Sequence, residues 1–252
     1  MGSIGSNLQE VKRRIAAAAA AAGRDAQSVT LLAVSKRFPA EAVREAHAAG
    51  QHTFGENYVQ EGLAKIEALA DLRPQLEWHL IGPLQSNKTR PVAEAFDWVH
   101  TVDRLKIAQR LAEQRPPQYG PLQVTLQVNI SGEASKSGVA PAELAALAHA
   151  VAALPAERIR LRGLMAIPEP EGDLAAQRAP HRRLRELLAA LRDQGLALDT
   201  LSMGMTADLE AAVQAGSTMV RVGTAILGAR AQAQTTPAAA LGLTQPGSPH
   251  PP

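Results

Sequence analysis

Short runs of strand-forming residues alternate along the chain with amphipathic stretches. There are eight such runs, and they read VTLLAVS, HTFGEN, EWHLIG, WVHTV, LQVTLQVN, IRLRGLMAI, LDTLSMG and TMVRVG. In the stretch before the seventh run, leucines at positions 184, 187, 188 and 191 predict a helix with one apolar face. Apolar strands that alternate with amphipathic helices predict a parallel sheet covered by helices. Eight units favour a closed (β/α)8 TIM barrel in one α/β domain over an open, doubly wound sheet.

The two ends of the chain depart from this alternation. Ser6 and Gln9 have the spacing of a capping box, and Gly23 follows an alanine-rich stretch, so we predict an extra N-terminal helix from Ser6 to Gly23. Residues 231–252 are rich in Pro, Ala and Gln and lack periodicity. We therefore predict a barrel domain over residues 1–230 and a disordered tail over residues 231–252.

Composition narrows the class of protein. A length of 252 residues suits one barrel, and a net charge of +2 with 3% aromatic residues gives no reason to expect a nucleic-acid partner. The absence of cysteine excludes disulfides, thiol catalysis and thiolate metal sites. No apolar run is long enough to span a bilayer, and the first residues do not read as a secretion signal. We expect a cytoplasmic protein without membrane contact.

Polar residues gather where the strands end, which in a barrel is the face that carries active sites. Three of the six lysines, Lys36, Lys88 and Lys136, fall in these loops, and Arg221 ends the eighth strand. These cations predict an anionic ligand. The loops after the seventh and eighth strands frequently hold phosphate in such barrels, and here they carry hydroxyls and glycines at Ser202, Gly204, Thr206, Gly223 and Thr224.

Lys36 ends an apolar run in a chain with only six lysines against twenty arginines. A lysine in that position usually reaches into water. Beside a phosphate site, however, a partly desolvated amine near other cations becomes a nucleophile for carbonyl carbon. A lysine together with a phosphate site suggests two ligands, a phosphorylated sugar aldehyde or pyridoxal phosphate.

An ordered set of motifs resembles the pyridoxal phosphate homeostasis proteins, the YggS/PROSC family, which are similar to the barrel domain of alanine racemase. The motifs extend from the first helix to Arg230 and read AVSK, FGENYVQE, WHLIGPLQSNK, QVN, KSG, RGLMAI, LSMGMTADLEAAVQAG and VRVGTAILG. The resemblance implies pyridoxal 5'-phosphate as the cofactor, a Schiff base on Lys36, Arg221 at the pyridine nitrogen, and Asn57 beside the ring. The residues it assigns to the phosphate are Ser202, Thr206, Gly223 and Thr224.

The resemblance also implies a function. It predicts a protein that holds pyridoxal phosphate as a lysine aldimine and serves intracellular vitamin B6 storage and delivery without turnover of its own. The alternative is a pyridoxal phosphate-dependent amino-acid racemase-like enzyme. A class I aldolase-like barrel ranks last, because such enzymes place the lysine on a middle or late strand, whereas Lys36 ends the first. We expect a monomer that contacts pyridoxal phosphate-dependent apoenzymes transiently.

Two features argue against turnover. An arginine at the ring nitrogen keeps that nitrogen unprotonated, which makes the ring a poorer electron sink and disfavours transamination, although racemisation proceeds with such a ring in alanine racemase. Racemisation also needs a second base, which is a tyrosine in alanine racemase. The two tyrosines here are Tyr58, after the second strand, and Tyr119, at the opposite end of the barrel, and nothing in the sequence places Tyr58 across from Lys36.

The histidines, two methionines and the remaining loop lysines are given no role in chemistry. We predict that His79 is hydrogen-bonded inside the barrel, and that no histidine belongs to a metal site. Met203 and Met205 are expected to pack around the ring. For Lys88 and Lys136, solvation and attraction of the ligand stay equally open. The histidines predicted to lie on helix surfaces are His47, His149 and His181.

Overall fold

The computed structural model describes residues 2–132, 137–169 and 172–228. The strands are β1 (Thr30–Val34), β2 (Thr53–Glu56), β3 (Glu77–Leu80), β4 (Trp98–Val102), β5 (Leu122–Gln127), β6 (Ile159–Met165), β7 (Thr200–Ser202) and β8 (Met219–Val222). The helices are α1 (Ile4–Ala21), α2 (Ala40–Ala48), α3 (Val59–Ala68), α4 (Thr89–Ala95), α5 (Leu105–Gln114), α6 (Leu144–Ala152), α7 (Leu174–Asp193), α8 (Leu209–Ala215) and α9 (Thr224–Leu227).

The eight strands form a closed parallel barrel in chain order. Closure is made by β8 and β1, which align over four residue pairs from Thr30 with Met219 to Ala33 with Val222. A helix follows every strand, as the alternating pattern of the sequence predicts. The predicted (β/α)8 barrel is confirmed, and the carboxyl ends of all eight strands therefore meet at one mouth.

Side chains alternate between the two faces of the barrel wall. Leu31 and Ala33 of β1 belong to the large apolar cluster that the sheet shares with the surrounding helices. Leu32 and Val34 belong instead to a small separate cluster with Ile81 and Met219. Successive strand residues point to opposite faces, so this small cluster lies inside the barrel, next to several buried polar side chains.

The N-terminal helix begins at Ile4, two residues before the predicted start at Ser6. Ser3 is its N-cap, because the Ser3 side chain accepts a hydrogen bond from the Ser6 amide, and helix α1 ends at Ala21 rather than Gly23. The prediction of Ser6 as the start was wrong because the chain offers two serines three residues apart, and the outer one is the cap. Helix α1 packs against α8 and α9, the helices that follow the last two strands.

Residues 229–252 lie outside the described residues, so the predicted tail over residues 231–252, and with it the domain boundary after residue 230, stays a prediction. Among residues 2–132, 137–169 and 172–228, no helix combines the length and apolar character that crossing a bilayer requires.

Candidate functional site

A cavity of about 310 Å³ opens at the mouth of the barrel, where β1 and β8 meet. It lies at the lower end of the size range of small-molecule sites. Of the seven residues predicted to bind the cofactor, six line it: Lys36, Asn57, Thr206, Arg221, Gly223 and Thr224. The remaining wall is formed by Val34, Phe38, Ile81, Ile167 and Met205. The cavity therefore joins two cations and two hydroxyls to an apolar surface.

Lys36 enters the cavity from a tight turn that follows β1. The Phe38 amide donates to the Ser35 carbonyl at 3.0 Å and closes the turn. Arg37, the next residue, has a φ of 63°, which is the left-handed region that a residue with a side chain seldom adopts. The Lys36 side chain is half-buried and Phe38 is buried, so the turn directs both toward the cavity.

The loops after β7 and β8 supply the hydroxyls of Thr206 and Thr224. Helix α1 contacts both segments, because Arg14 donates to the Thr206 carbonyl in the loop after β7 at 2.9 Å and Asn7 donates to the Ile226 carbonyl in α9 at 3.0 Å. Arg14 is itself paired with Glu210 at 2.7 Å. The extra N-terminal helix thus supports the part of the mouth that is predicted to bind phosphate.

Gly204 sets the path of the loop after β7. Its φ is +94°, and a Cβ there would lie 2.4 Å from the Cβ of Ala212 in helix α8. The Gly204 carbonyl also accepts from the Arg221 amide at 2.9 Å. Only glycine combines that conformation with that close approach, so this residue fixes the loop against β8.

Arg221 lies on the floor of the cavity and is 4% exposed. Its guanidinium donates to Ser202 Oγ at 2.7 Å and to the Ala166 carbonyl at 2.9 Å. Burial lowers the pKa of Arg221 to about 10. Since that value is well above neutral pH, Arg221 presents a fixed cation and further N–H donors to any ligand in the cavity.

Comparison with known proteins places this architecture in a family. Residues 6–231 match the family model of the alanine racemase N-terminal domain. The pyridoxal phosphate homeostasis protein of Pseudomonas aeruginosa is 64% identical over 230 residues, which cover 91% of this chain and 97% of that protein. The protein of the same name from Escherichia coli K12 is 57% identical over 231 residues, covering 91% of this chain and 98% of its own. This chain belongs to the pyridoxal phosphate homeostasis protein family.

Solved structures agree with that membership. PipY from Synechococcus elongatus, solved with pyridoxal phosphate bound, has 39% identity and a TM-score of 0.77 over 90% of this chain and 100% of its own. Alanine racemase from Clostridium difficile matches with a TM-score of 0.69 at 13% identity, covering 88% of this chain and 56% of its own, which shows a shared fold.

In this member of the pyridoxal phosphate homeostasis protein family, Ser202 is fully buried and is not among the residues that line the cavity. As the last residue of β7 it points into the barrel, behind Arg221. Its hydroxyl accepts from Arg221 and lies 2.8 Å from His100 Nδ1. In this structure Ser202 supports Arg221, and the phosphate contact that the resemblance implies for it stays a prediction.

His100 continues a hydrogen-bonded chain through the interior of the barrel. Its Nε2 lies 2.8 Å from His79 Nδ1, and His79 Nε2 lies 2.8 Å from Glu77. Burial, and then the neighbouring His79 and Arg221, hold the pKa of His100 well below its usual value. With His100 neutral, one pattern satisfies every group: Arg221 donates to Ser202, the hydroxyl to His100, His100 to His79, and His79 to the carboxylate.

The interior prediction for His79 is confirmed, since it is fully buried and hydrogen-bonded on both ring nitrogens. His100 was missed by sequence reasoning. In the described part of the chain, no cluster of three or more His, Cys, Asp or Glu could hold a metal ion.

His181 was predicted on a helix surface, and that prediction is wrong. It is 1% exposed, and its Nε2 lies 2.9 Å from Asp208 in the loop between β7 and α8. Asp208 also accepts from the Met205 amide at 2.7 Å. Burial opposes ionisation of Asp208, but these two donors hold its pKa below the usual value. This pair shapes the loop that carries Thr206.

The remaining histidines and methionines match their predictions in part. His149 is exposed and His47 is half-buried. Met205 lines the cavity, whereas Met203 is buried behind it in the main core.

Lys88 and the two tyrosines are not among the residues that line the cavity. Lys88 is half-buried in a short 3-10 turn and is not among the lining residues, and Lys136 lies outside the described residues. Tyr119 sits at the opposite end of the barrel, as predicted, just before β5. Tyr58 is 49% exposed, with its hydroxyl 3.5 Å from Arg37. Neither tyrosine is among the residues that line the cavity with Lys36.

The cavity fits pyridoxal phosphate on its own chemistry. Its described wall carries Lys36 and Arg221 without a carboxylate, which suits an anionic ligand. Five apolar side chains suit an aromatic ring. Asn57 Oδ1 is buried without a protein partner, so it can accept a hydrogen bond from a ligand. A larger neighbouring cavity of about 480 Å³ shares Asn57 with this one but is lined by neither Lys36 nor Arg221.

Proposed function

We propose that this protein binds pyridoxal 5'-phosphate in the 310 Å³ cavity, keeps it covalently on Lys36, and releases it for intracellular vitamin B6 homeostasis. The proposal rests on the observation that Lys36 and Arg221 line one cavity. The same cavity is lined by Thr206, Gly223 and Thr224. The names of the relatives and the bound cofactor in PipY support it.

Each residue of the cavity has a role in this proposal. Pyridoxal phosphate supplies an aldehyde, which condenses with a lysine amine with loss of water. Lys36 supplies that amine. Thr206 and Thr224 offer hydroxyl donors to the phosphate, and Gly223 leaves room for close backbone approach. Asn57 offers its free amide oxygen beside the ring.

Arg221 favours storage over catalysis. As a cation with a pKa of about 10, it donates a hydrogen bond to the ring nitrogen and disfavours protonation there. An unprotonated ring stabilises a carbanion poorly. The racemase-like alternative also lacks support from the cavity wall, on which no tyrosine lies among the described residues. We further propose that the protein acts in the cytoplasm as a monomer and meets pyridoxal phosphate-dependent apoenzymes transiently.

The site is tested by borohydride reduction of the protein loaded with pyridoxal phosphate, followed by peptide mapping. We expect the adduct on the peptide that contains Lys36. Lys36→Ala should abolish the visible absorbance band of the bound cofactor while keeping part of the non-covalent binding, because the phosphate contacts do not depend on the amine. A label on Lys88 or Lys136 would contradict the assignment.

The absence of turnover is tested separately. The loaded protein is incubated with L-alanine and other amino acids in deuterated water, and we expect negligible exchange of the α-proton. Exchange with racemisation at about 1 per second or faster would place the protein among the enzymes.

A further inference from the structure

Lys65 is a buried lysine outside the cavity. It lies on helix α3 and is 6% exposed. Its ammonium donates to the Ser35 carbonyl at 2.6 Å, to Glu56 at 2.7 Å and to Glu61 at 2.7 Å. Three partners satisfy all three donors of an ammonium group, so Lys65 is fully bonded.

The partners of Lys65 also hold the two residues that flank Lys36. On one side, the Ser35 hydroxyl donates to Glu56 at 2.5 Å, and its carbonyl accepts from Lys65. On the other side, the Arg37 amide donates to Glu61. Lys36 is therefore the middle residue of a segment that is fixed at both ends by one cluster, which we define as Glu56, Glu61 and Lys65.

The cluster also sustains an unfavourable backbone. Arg37 has a φ of 63°, a left-handed conformation that is unfavourable for a residue with a side chain. Its amide reaches Glu61 in that conformation. Without the acceptor, an extended conformation would be preferred, and the turn that aims Lys36 at the cavity would be lost part of the time.

Stability alone is a weak reason for this cluster. Buried ion pairs are often no more stabilising than apolar residues of similar size, because both charges must be desolvated. Glu56 is fully buried, and burial raises its pKa even though Lys65 opposes that rise. A chain that needed only to attach α3 to the barrel could do so with leucine. The contacts instead converge on the backbone around Lys36.

We propose that Glu56, Glu61 and Lys65 are positioning residues that hold Lys36 in the orientation needed to capture an aldehyde in the cavity. This inference rests on the proposed function, since it concerns the covalent step at Lys36. It predicts that disturbing the cluster slows covalent capture and leaves non-covalent binding at the phosphate loops intact. A purely structural cluster would instead affect both measurements, or neither.

The test separates the two kinds of binding. Pyridoxine 5'-phosphate carries an alcohol where pyridoxal phosphate has an aldehyde, so its Kd reports only non-covalent contacts. The rate constant for capture of pyridoxal phosphate is followed by absorbance after rapid mixing. Glu61→Ala removes the acceptor of the Arg37 amide at a side chain that is 26% exposed, which limits damage to folding. Glu67→Ala, at an exposed position of the same helix, is the matched control.

We expect Glu61→Ala to slow capture at least tenfold with the Kd for pyridoxine 5'-phosphate within twofold of wild type, and Glu67→Ala to change neither. The double variant Lys65→Met/Glu56→Gln leaves no lone charge in the core and should behave like Glu61→Ala. Unchanged capture in Glu61→Ala, or equal loss in both measurements, would overturn the inference. Absence of capture by the wild type would refute the proposed function itself, which is a distinguishable result.

Discussion

Replacing His100 with glutamine should remove a pH-dependent loss of stability from the barrel. His100 is fully buried on β4 between His79 and Ser202, with both ring nitrogens in hydrogen bonds of 2.8 Å. Burial and the adjacent His79 and Arg221 hold the pKa of His100 far below its usual value. The folded protein thus keeps this imidazole neutral at mildly acidic pH, where the unfolded chain protonates it.

The size of the effect follows from proton linkage. Above pH ~6.5 the histidine is neutral in both states and contributes no pH dependence. As the pH falls through ~6.5, only the unfolded chain gains a proton, so the free energy of unfolding decreases by up to about 1.4 kcal/mol per pH unit. For one histidine that stays neutral in the folded state, this amounts to about 1.4 kcal/mol between pH 7.5 and pH 5.5.

The assay is urea unfolding of the wild type and His100→Gln at pH 7.5, 6.5 and 5.5. The variant should be less stable at pH 7.5, by about 1–3 kcal/mol, because hydrogen bonds of the buried chain are lost. That difference should narrow by about 1.4 kcal/mol at pH 5.5. His149→Gln on the exposed face of α6 is the control and should keep the wild-type slope. A gap that stays constant or widens toward pH 5.5 would refute the reasoning.

Two further predictions concern the loops of the mouth. Gly204→Ala should lower the free energy of unfolding, measured in urea, by about 2–4 kcal/mol, because it combines a left-handed backbone with a clash against α8. Gly120 has a φ of +66° and open space around it, so Gly120→Ala should lower it by only about 1–2 kcal/mol. Equal losses in the two variants would contradict this prediction. Arg14→Ala should weaken the binding of pyridoxine 5'-phosphate severalfold in titration calorimetry, because Arg14 donates to the Thr206 carbonyl. Arg13→Ala, which removes an exposed side chain of the same helix, should leave the Kd unchanged. An unchanged Kd in Arg14→Ala would count against the support role of α1.

The parts of the site that the sequence predicts are those defined by where strands end. Lys36 follows β1 by two residues and Arg221 is the last residue but one of β8, and in a closed parallel barrel all such strand ends meet at one mouth. Ser202 is also at a strand end, but its role depends on which way the last residue of a three-residue strand points. Only the register with β6 and β8 decides that, and the alternation of so short a strand does not reveal it.

Other residues were missed for different physical reasons. Glu61 and Lys65 have i, i+4 spacing, which on a helix usually indicates an exposed ion pair. Only the folded chain brings Glu56 of β2 against Lys65 and so buries the pair. His181, by contrast, lies three residues before Leu184 and therefore on the apolar face of α7, so the spacing that predicts the helix could also have predicted its burial.

The two cations of the cavity are supported by separate networks. The backbone next to Lys36 is held from outside the barrel wall, because Lys65 on α3 donates to the Ser35 carbonyl. Arg221 is held from inside the barrel, by Ser202, which in turn contacts His100. Among the described residues, no hydrogen bond between side chains links the two networks. Under the proposed function, the amine that would capture the aldehyde and the guanidinium that would face the ring are thus supported by different side chains. Under the proposed function, this arrangement would let the strength of the covalent attachment change while Arg221 keeps the ring nitrogen unprotonated.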